Sequence, residues 1–308
     1  MSGLARSIAT TRHRSLIVLA VVLLCATGVG TGAAEAQVIE PDDLVPAPAG
    51  TNLAIGYYVY GHNPEFNIAG GPTVKNSGLE VNLGVARYVH YTSLFGLPAG
   101  YQINEAFGSE SGGHIGSERL GSAFGTSNPE LSAFFWPYAD TVKKQYLVVV
   151  GFIYPPIGTY DKGSPLNLAS AFSNWVGWAG AAQVGWNQGI GDHFSYDLAA
   201  DMTAYGGTTG PYGLRNNKAV AYRLQGWASW RWSPVYETSL GWESLLGGSV
   251  YTEDIATGSK SEFGRLRAAA SAFVAPNAQV LLELSHDVYA VGGFRQIIGA
   301  TARFVFIF

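Results

Sequence analysis

From residue 51 to its last residue the chain changes face at every second position, in about twelve separate runs. Their spans are 51–61, 78–92, 99–107, 129–136, 145–155, 170–188, 193–205, 219–232, 235–246, 262–274, 278–288 and 295–308. Successive side chains of a strand point to opposite sides, so this period of two marks strands with unlike faces. In 192–206, Phe194, Tyr196, Leu198, Ala200 and Met202 share one face, and Ser195, Asp197, Ala199, Asp201 and Thr203 the other. The final run keeps its apolar face to the end: Ile298, Ala300, Ala302, Phe304, Phe306 and Phe308 lie on one side, Thr301 and Arg303 on the other.

What that apolar face meets is decided by the connections. They alternate long (61–77, 108–128, 156–169, 206–218, 247–261) and short (96–98, 188–192, 233–234, 275–277), with one short outer connection, 289–294, as the exception. Short turns at one end and long loops at the other belong to outer-membrane barrels. Trp136, Tyr138, Trp186, Phe194, Tyr196, Trp230, Trp232 and Tyr236 flank the short connections, where a belt of amphipathic rings sits well at a membrane interface. A soluble sandwich also alternates faces, but it predicts neither the loop alternation nor a terminal phenylalanine.

Composition agrees. Charged residues make up 13% of the chain, about half the share of a soluble domain, beside 8 Trp, 17 Tyr and 40 Gly. The most apolar stretch after the N-terminal region, 146–157, holds about 12 residues and ends in Pro155-Pro156, too short to cross a bilayer as a helix. A closed barrel is the other structure that satisfies its own backbone in lipid. The expected fold is therefore all-β: a transmembrane antiparallel up-and-down barrel of about 12 strands over residues 51–308, in a bacterial outer membrane.

Arg6, Arg12 and Arg14 precede an apolar run over 16–29 and the small-x-small triplet Ala34-Glu35-Ala36, the layout of a secretory signal peptide over residues 1–36. Cys25, the one cysteine, falls inside it, so the mature chain has no disulfide. Losing Arg6, Arg12, Arg14 and Glu35 leaves 15 basic against 21 acidic residues, which argues against a nucleic-acid partner. Residues 37–50, rich in Pro and acid, are expected to form an extended periplasmic segment.

No catalytic constellation stands out. The chain lacks His-Glu-x-x-His and Gly-x-Ser-x-Gly, and His62, His90, His114, His193 and His286 are not spaced as a metal pair. No cofactor and no metal are expected. The inward face is richer: it carries Asp197, Asp201, Arg223, Arg231, Glu237, Glu243, Arg265, Arg267, Glu283, Asp287 and Arg303. In lipid each would cost about 2–4 kcal/mol at the midplane, so they belong in the lumen. There they either line a polar path or fill a narrow lumen with ion pairs. Trp175, Tyr205 and Trp227 also fall inward, either as ring-stacking rungs of a path or packed on a plug formed by the N-terminal segment or a folded-in loop.

Two stretches carry a family resemblance. "YPPIGTYDKGSPLNLASAFSNW", residues 154–175, holds a Pro-x-Gly-x-Tyr-Asp loop in Pro156, Gly158, Tyr160 and Asp161. "GTSNPELSAFFWP", residues 125–137, leads into an aromatic strand, with Ser127-Asn128 where Gly-Asp is expected. Both resemble the family of transporters tied to meta-pathway phenol degradation, outer-membrane barrels. The resemblance implies uptake of aromatic compounds. The Phe304, Phe306, Phe308 ending likewise resembles the assembly signal that the barrel-assembly machinery recognises. The function expected is passive or facilitated passage of small molecules. An outer-membrane lipid or peptide hydrolase and a closed surface barrel are the alternatives.

Overall fold

The computed structural model describes residues 37–210, 213–260 and 262–308; the expected signal peptide lies outside them. Twelve antiparallel strands form the wall: β1 (Asn52–Asn63), β2 (Gly78–Leu94), β3 (Leu97–Ile115), β4 (Glu130–Asp140), β5 (Gln145–Tyr154) and β6 (Ala179–Ile190), then β7 (Phe194–Tyr205), β8 (Ala221–Arg231), β9 (Tyr236–Gly247), β10 (Glu262–Ala275), β11 (Ala278–Val291) and β12 (Ile298–Ile307). Each pairs with its neighbours in sequence, and β1 also pairs with β12, which closes the ring. At the seam Tyr57 stands opposite Arg303 on one side and Val85 on the other. Asn52 and Phe308 exchange both backbone hydrogen bonds there, each 2.9 Å. Closure leaves no strand edge to hydrate, as hydrocarbon requires.

The alternation holds along the wall. Leu198, Met202, Leu224, Leu240, Leu282, Leu284, Phe304 and Phe306 are exposed outward, whereas Asp197, Asp201, Arg223, Glu243, Arg267 and Glu283 are buried inward. Near the short-turn rim, Tyr138 stacks on Trp186 at 6.2 Å, and Trp230 meets Trp232 edge-on at the same distance.

Three features depart from the sequence reading. Trp136, expected in the outer belt, faces the lumen and is 2% exposed. The ladder slips between Phe135 and Tyr138, where Trp136 and Pro137 together oppose one residue of β5. Pro137 cannot donate to the ladder, so the strand bulges there; Trp136 keeps the inward phase of Ser132 and Phe134, and the reversal beyond it turns Tyr138 outward. The run at 170–188 becomes a strand only from Ala179, and its first half is a buried loop with a short 3-10 turn at Leu168–Ser170. Trp175 therefore lies in an inserted loop and not in the wall. Residues 37–50, expected as an extended periplasmic stretch, turn at 40–44 and enter the barrel; Gln37, Ile39, Glu40 and Leu44 are all buried.

Two of the buried apolar clusters bring the inserted segments against the wall. One gathers Ile39 and Leu44 with Tyr91, Phe134, Trp136, Val148, Phe152 and Trp227. The other, toward the long loops, gathers Leu166, Leu168 and Ala171 with Val59, Leu79, Val81, Leu83 and Phe294.

Candidate functional site

The segment at 37–45 is a plug held by both charge and shape. Ile39 is clamped from three sides: its N–H donates to Gln225 Oε1 (2.9 Å), and its carbonyl accepts from Trp227 Nε1 (2.8 Å) and Arg267 Nη1 (2.9 Å). The guanidinium of Arg267 stands over the Trp227 ring, 4.5 Å from its centre. The Gln37 carbonyl accepts from Gln183 and Gln225, and Trp136 Nε1 donates to the Leu44 carbonyl at 2.8 Å. Ion pairs complete the seat: Glu40 with Arg267 (3.0 Å), Asp42 with Arg231 (2.9 Å), and Asp43 with both Arg87 and Arg303 (3.2 Å each). Burying Ile39 and Leu44 contributes about 1.5–3 kcal/mol each. A segment without regular structure thus has its buried backbone groups satisfied by wall side chains.

The loop between β5 and β6 closes the barrel from the other end. Asn128, fully buried, organises it. Its Oδ1 accepts from the Gly158 N–H (3.0 Å), its Nδ2 donates to the carbonyls of Trp175 (3.4 Å) and Val176 (3.2 Å), and its own N–H donates to the Ala169 carbonyl (3.1 Å). A carboxamide both donates and accepts, whereas a carboxylate only accepts. Asn at this position therefore ties down both halves of the loop. Gly158 lies so close to the Ser127 carbonyl that an added Cβ would sit 2.3 Å from it. Of the motif residues, Asp161 closes the bend by donating its N–H to Asn167 Oδ1 and accepting from the Gly163 N–H, while Pro156 is exposed. The motif builds the loop and does not line the lumen. Deeper in, Trp175 donates to the Gly206 carbonyl (2.8 Å) and meets Tyr205 edge-on at 6.1 Å. Lys218 stands over the Tyr205 ring at 4.6 Å and donates to the Asn174 carbonyl; burial pushes its ammonium down to about 7.

Between plug and loop lies a chamber of ≈ 100 Å³. Tyr57, Val59, Val85 and Phe172 give it an apolar side, and Glu243, Arg265, Arg267 and Glu283 an ionic one, with Glu40 of the plug among its lining. The arginines are already paired: Arg265 with Asp287 (2.6 Å), Arg267 with Glu283 (2.7 Å), Arg223 with Glu243 (3.3 Å). Glu40 Oε2 has no hydrogen-bond partner among the described residues. A second cavity of ≈ 50 Å³ lies on the other flank of the plug, between Leu44, Tyr91, Phe134 and Trp136.

The structure thus gathers Asp197, Asp201, Trp227 and Arg231 around the plug, and Trp175 with Tyr205 under the outer loop, as two separate groups. Arg87, Gln183 and Gln225 complete the plug's seat and were not singled out in the sequence. Their inward phase on β2, β6 and β8 was the available signal. No group of three or more metal-ligating side chains occurs among the described residues.

The sequence profile described as "Putative MetA-pathway of phenol degradation" matches residues 65–304. The chain belongs to this family. Among solved structures, the COG4313 outer membrane channel from Pseudomonas putida F1 is similar at a TM-score of 0.81 and 22% identity, over 88% of this chain and 100% of that one. A deletion mutant of the monoaromatic hydrocarbon channel TodX (TM-score 0.48, 8% identity, covering 92% and 96%) and the NanC porin (0.45, 7%, covering 83% and 98%) are more distant. No curated protein matches in sequence. This member of the phenol-degradation family has the fold of a bacterial outer-membrane barrel.

Proposed function

We propose that this channel passes small aromatic molecules through a lumen that rests closed, with the plug and the β5–β6 loop as its two barriers. The observation that carries the reading is the chamber between them. Its apolar side suits a ring, and the open Oε2 of Glu40 would accept a hydroxyl proton from the same molecule. Its ≈ 100 Å³ is of the order of an engineered apolar cavity that holds benzene, about 150 Å³. The family description, which names phenol degradation, supports that substrate class.

Passage needs each barrier to move. A solute entering among the outer loops meets Trp175 and Tyr205, then the chamber, then the wall charges Arg223, Asp201, Asp197 and Arg231 once the plug leaves. No catalytic step is needed. Phe304, Phe306 and Phe308 serve as the signal for the barrel-assembly machinery.

The test is flux into liposomes, comparing phenol and small aromatic acids with sugars of similar size. It is run on the intact channel, on a variant lacking residues 37–47, and on Trp227→Ala and Arg223→Ala. Faster entry of the aromatic solutes, altered by Trp227→Ala, supports the reading. Equal flux of all solutes through every variant removes the aromatic preference, and no flux even without the plug leaves a closed surface barrel.

A further inference from the structure

The Asp201 carboxylate is buried in the lumen, 6% exposed, and no basic side chain pairs with it among the described residues. Arg223, directly opposite on β8, turns to Glu243 instead. The contacts of Asp201 are two amide groups, Gln183 Nε2 at 3.3 Å and Gln225 Nε2 at 3.5 Å. Both amides also donate to the Gln37 carbonyl, each at 2.9 Å. Asp201 is therefore one amide group away from residue 37. A buried carboxylate without a counter-charge is costly; Arg265, Arg267 and Arg303 supply one to Asp287, Glu283 and Asp43, whereas amide groups alone hold Asp201.

Gln37 directly follows the expected cleavage site at Ala36. Hydrolysis of the Ala36–Gln37 peptide bond by an export peptidase consumes one water. It leaves a carboxylate on Ala36 and an amine on Gln37, which takes up a proton at neutral pH. We infer that the mature amino terminus is itself a ligand of the lumen: the α-ammonium of Gln37 is the counter-ion of Asp201.

The Gln37 side chain is held by Thr203, whose hydroxyl donates to Oε1 at 3.1 Å. That contact holds the amide away from its own amine and disfavours cyclisation to a neutral lactam.

The experiment starts with intact mass and N-terminal sequencing of the protein from outer membranes. The expected terminus is Gln37 with a free amine. An amine-reactive label is then applied to the folded channel in detergent and to the unfolded chain. The α-amine should react at least roughly tenfold more slowly in the folded state, and Asp201→Asn should speed that reaction. In a second variant, Gly-Ser is inserted between Ala36 and Gln37, which displaces the amine but leaves the wall untouched. Its conductance should rise toward that of the channel lacking residues 37–47. A lactam-blocked terminus, a terminus elsewhere, or a folded α-amine that labels as fast as the unfolded one overturns the inference. So does unchanged conductance in the inserted variant.

Discussion

Arg303, on the last strand, and Asp43, in the plug, form an ion pair at 3.2 Å across 260 residues of sequence. The same carboxylate also pairs with Arg87, so Asp43 bridges β2 and β12 over the seam strand β1. The plug is thereby fastened where the ring closes.

Asp43→Asn removes one charge and strands two guanidinium groups. Breaking such a pair in a dry interior costs on the order of 3 kcal/mol, and the partial hydration of this site reduces that. The barrel wall should survive while the plug spends more time out of its seat. Planar-bilayer recordings should show more frequent openings than the parent channel, without loss of the heat-resistant folded band on gels. A closed trace indistinguishable from the parent would mean that the clamp on Ile39 alone holds the plug.

Asn128→Asp keeps the shape of the side chain and removes its donor. The carbonyls of Trp175 and Val176 lose their partner, and a buried carboxylate takes its place. The loss should be about 1–3 kcal/mol or more. It should appear as faster protease cutting within the β5–β6 loop, with unfolding of the wall little changed. Gly158→Ala should do the same by overpacking against Ser127, at about 1–3 kcal/mol.

Leu240 is 70% exposed on the outward face near the middle of β9, and Tyr236 lies on the same face near its short-turn end. Leu240→Arg should cost about 2–4 kcal/mol and Tyr236→Arg about 0–1, because the penalty follows depth in lipid. Reversible unfolding in lipid vesicles measures both. Equal costs at the two positions would contradict an outward face immersed in hydrocarbon.

Lys218 binds its proton less tightly folded than unfolded, because burial lowers its folded value to about 7 from the usual 10.5. Between those limits the unfolded loop carries the extra proton, so stability rises with pH. Below pH 7 both states are protonated and the full desolvation penalty is present. Thermal unfolding of the parent should therefore gain on that of Lys218→Met as pH rises from about 7 toward 10. A constant gap over that range would show that Lys218 keeps its ordinary proton affinity.

The wall was legible because lipid outside and water or ions inside impose one rule on every strand. Leu198 and Asp197 could be assigned to opposite sides without knowledge of their neighbours. Trp136 obeys that rule, in phase with Phe134, and was placed in the belt only because it shares parity with Tyr138, which the bulge at Pro137 turns outward in a way that counting by twos does not follow. The interior was less legible. The plug has no periodicity, and its hold on Gln225, Trp227 and Arg267 joins positions nearly two hundred residues apart or more. Trp175 showed the other limit: residues 166–177 are buried without alternation, in a loop whose polar groups are met in part by Asn128 and not by a neighbouring strand.

The mutual bonding of Asn52 and Phe308 has a temporal side. Strand β1 pairs early with β2 but finds its second neighbour only in β12, so the ring stays open until β12 arrives. A chain that stopped short of β12 would leave two raw edges in the bilayer, on β1 and β11, a loss out of proportion to the length removed. The plug, already translated, has no finished container to occupy until that moment.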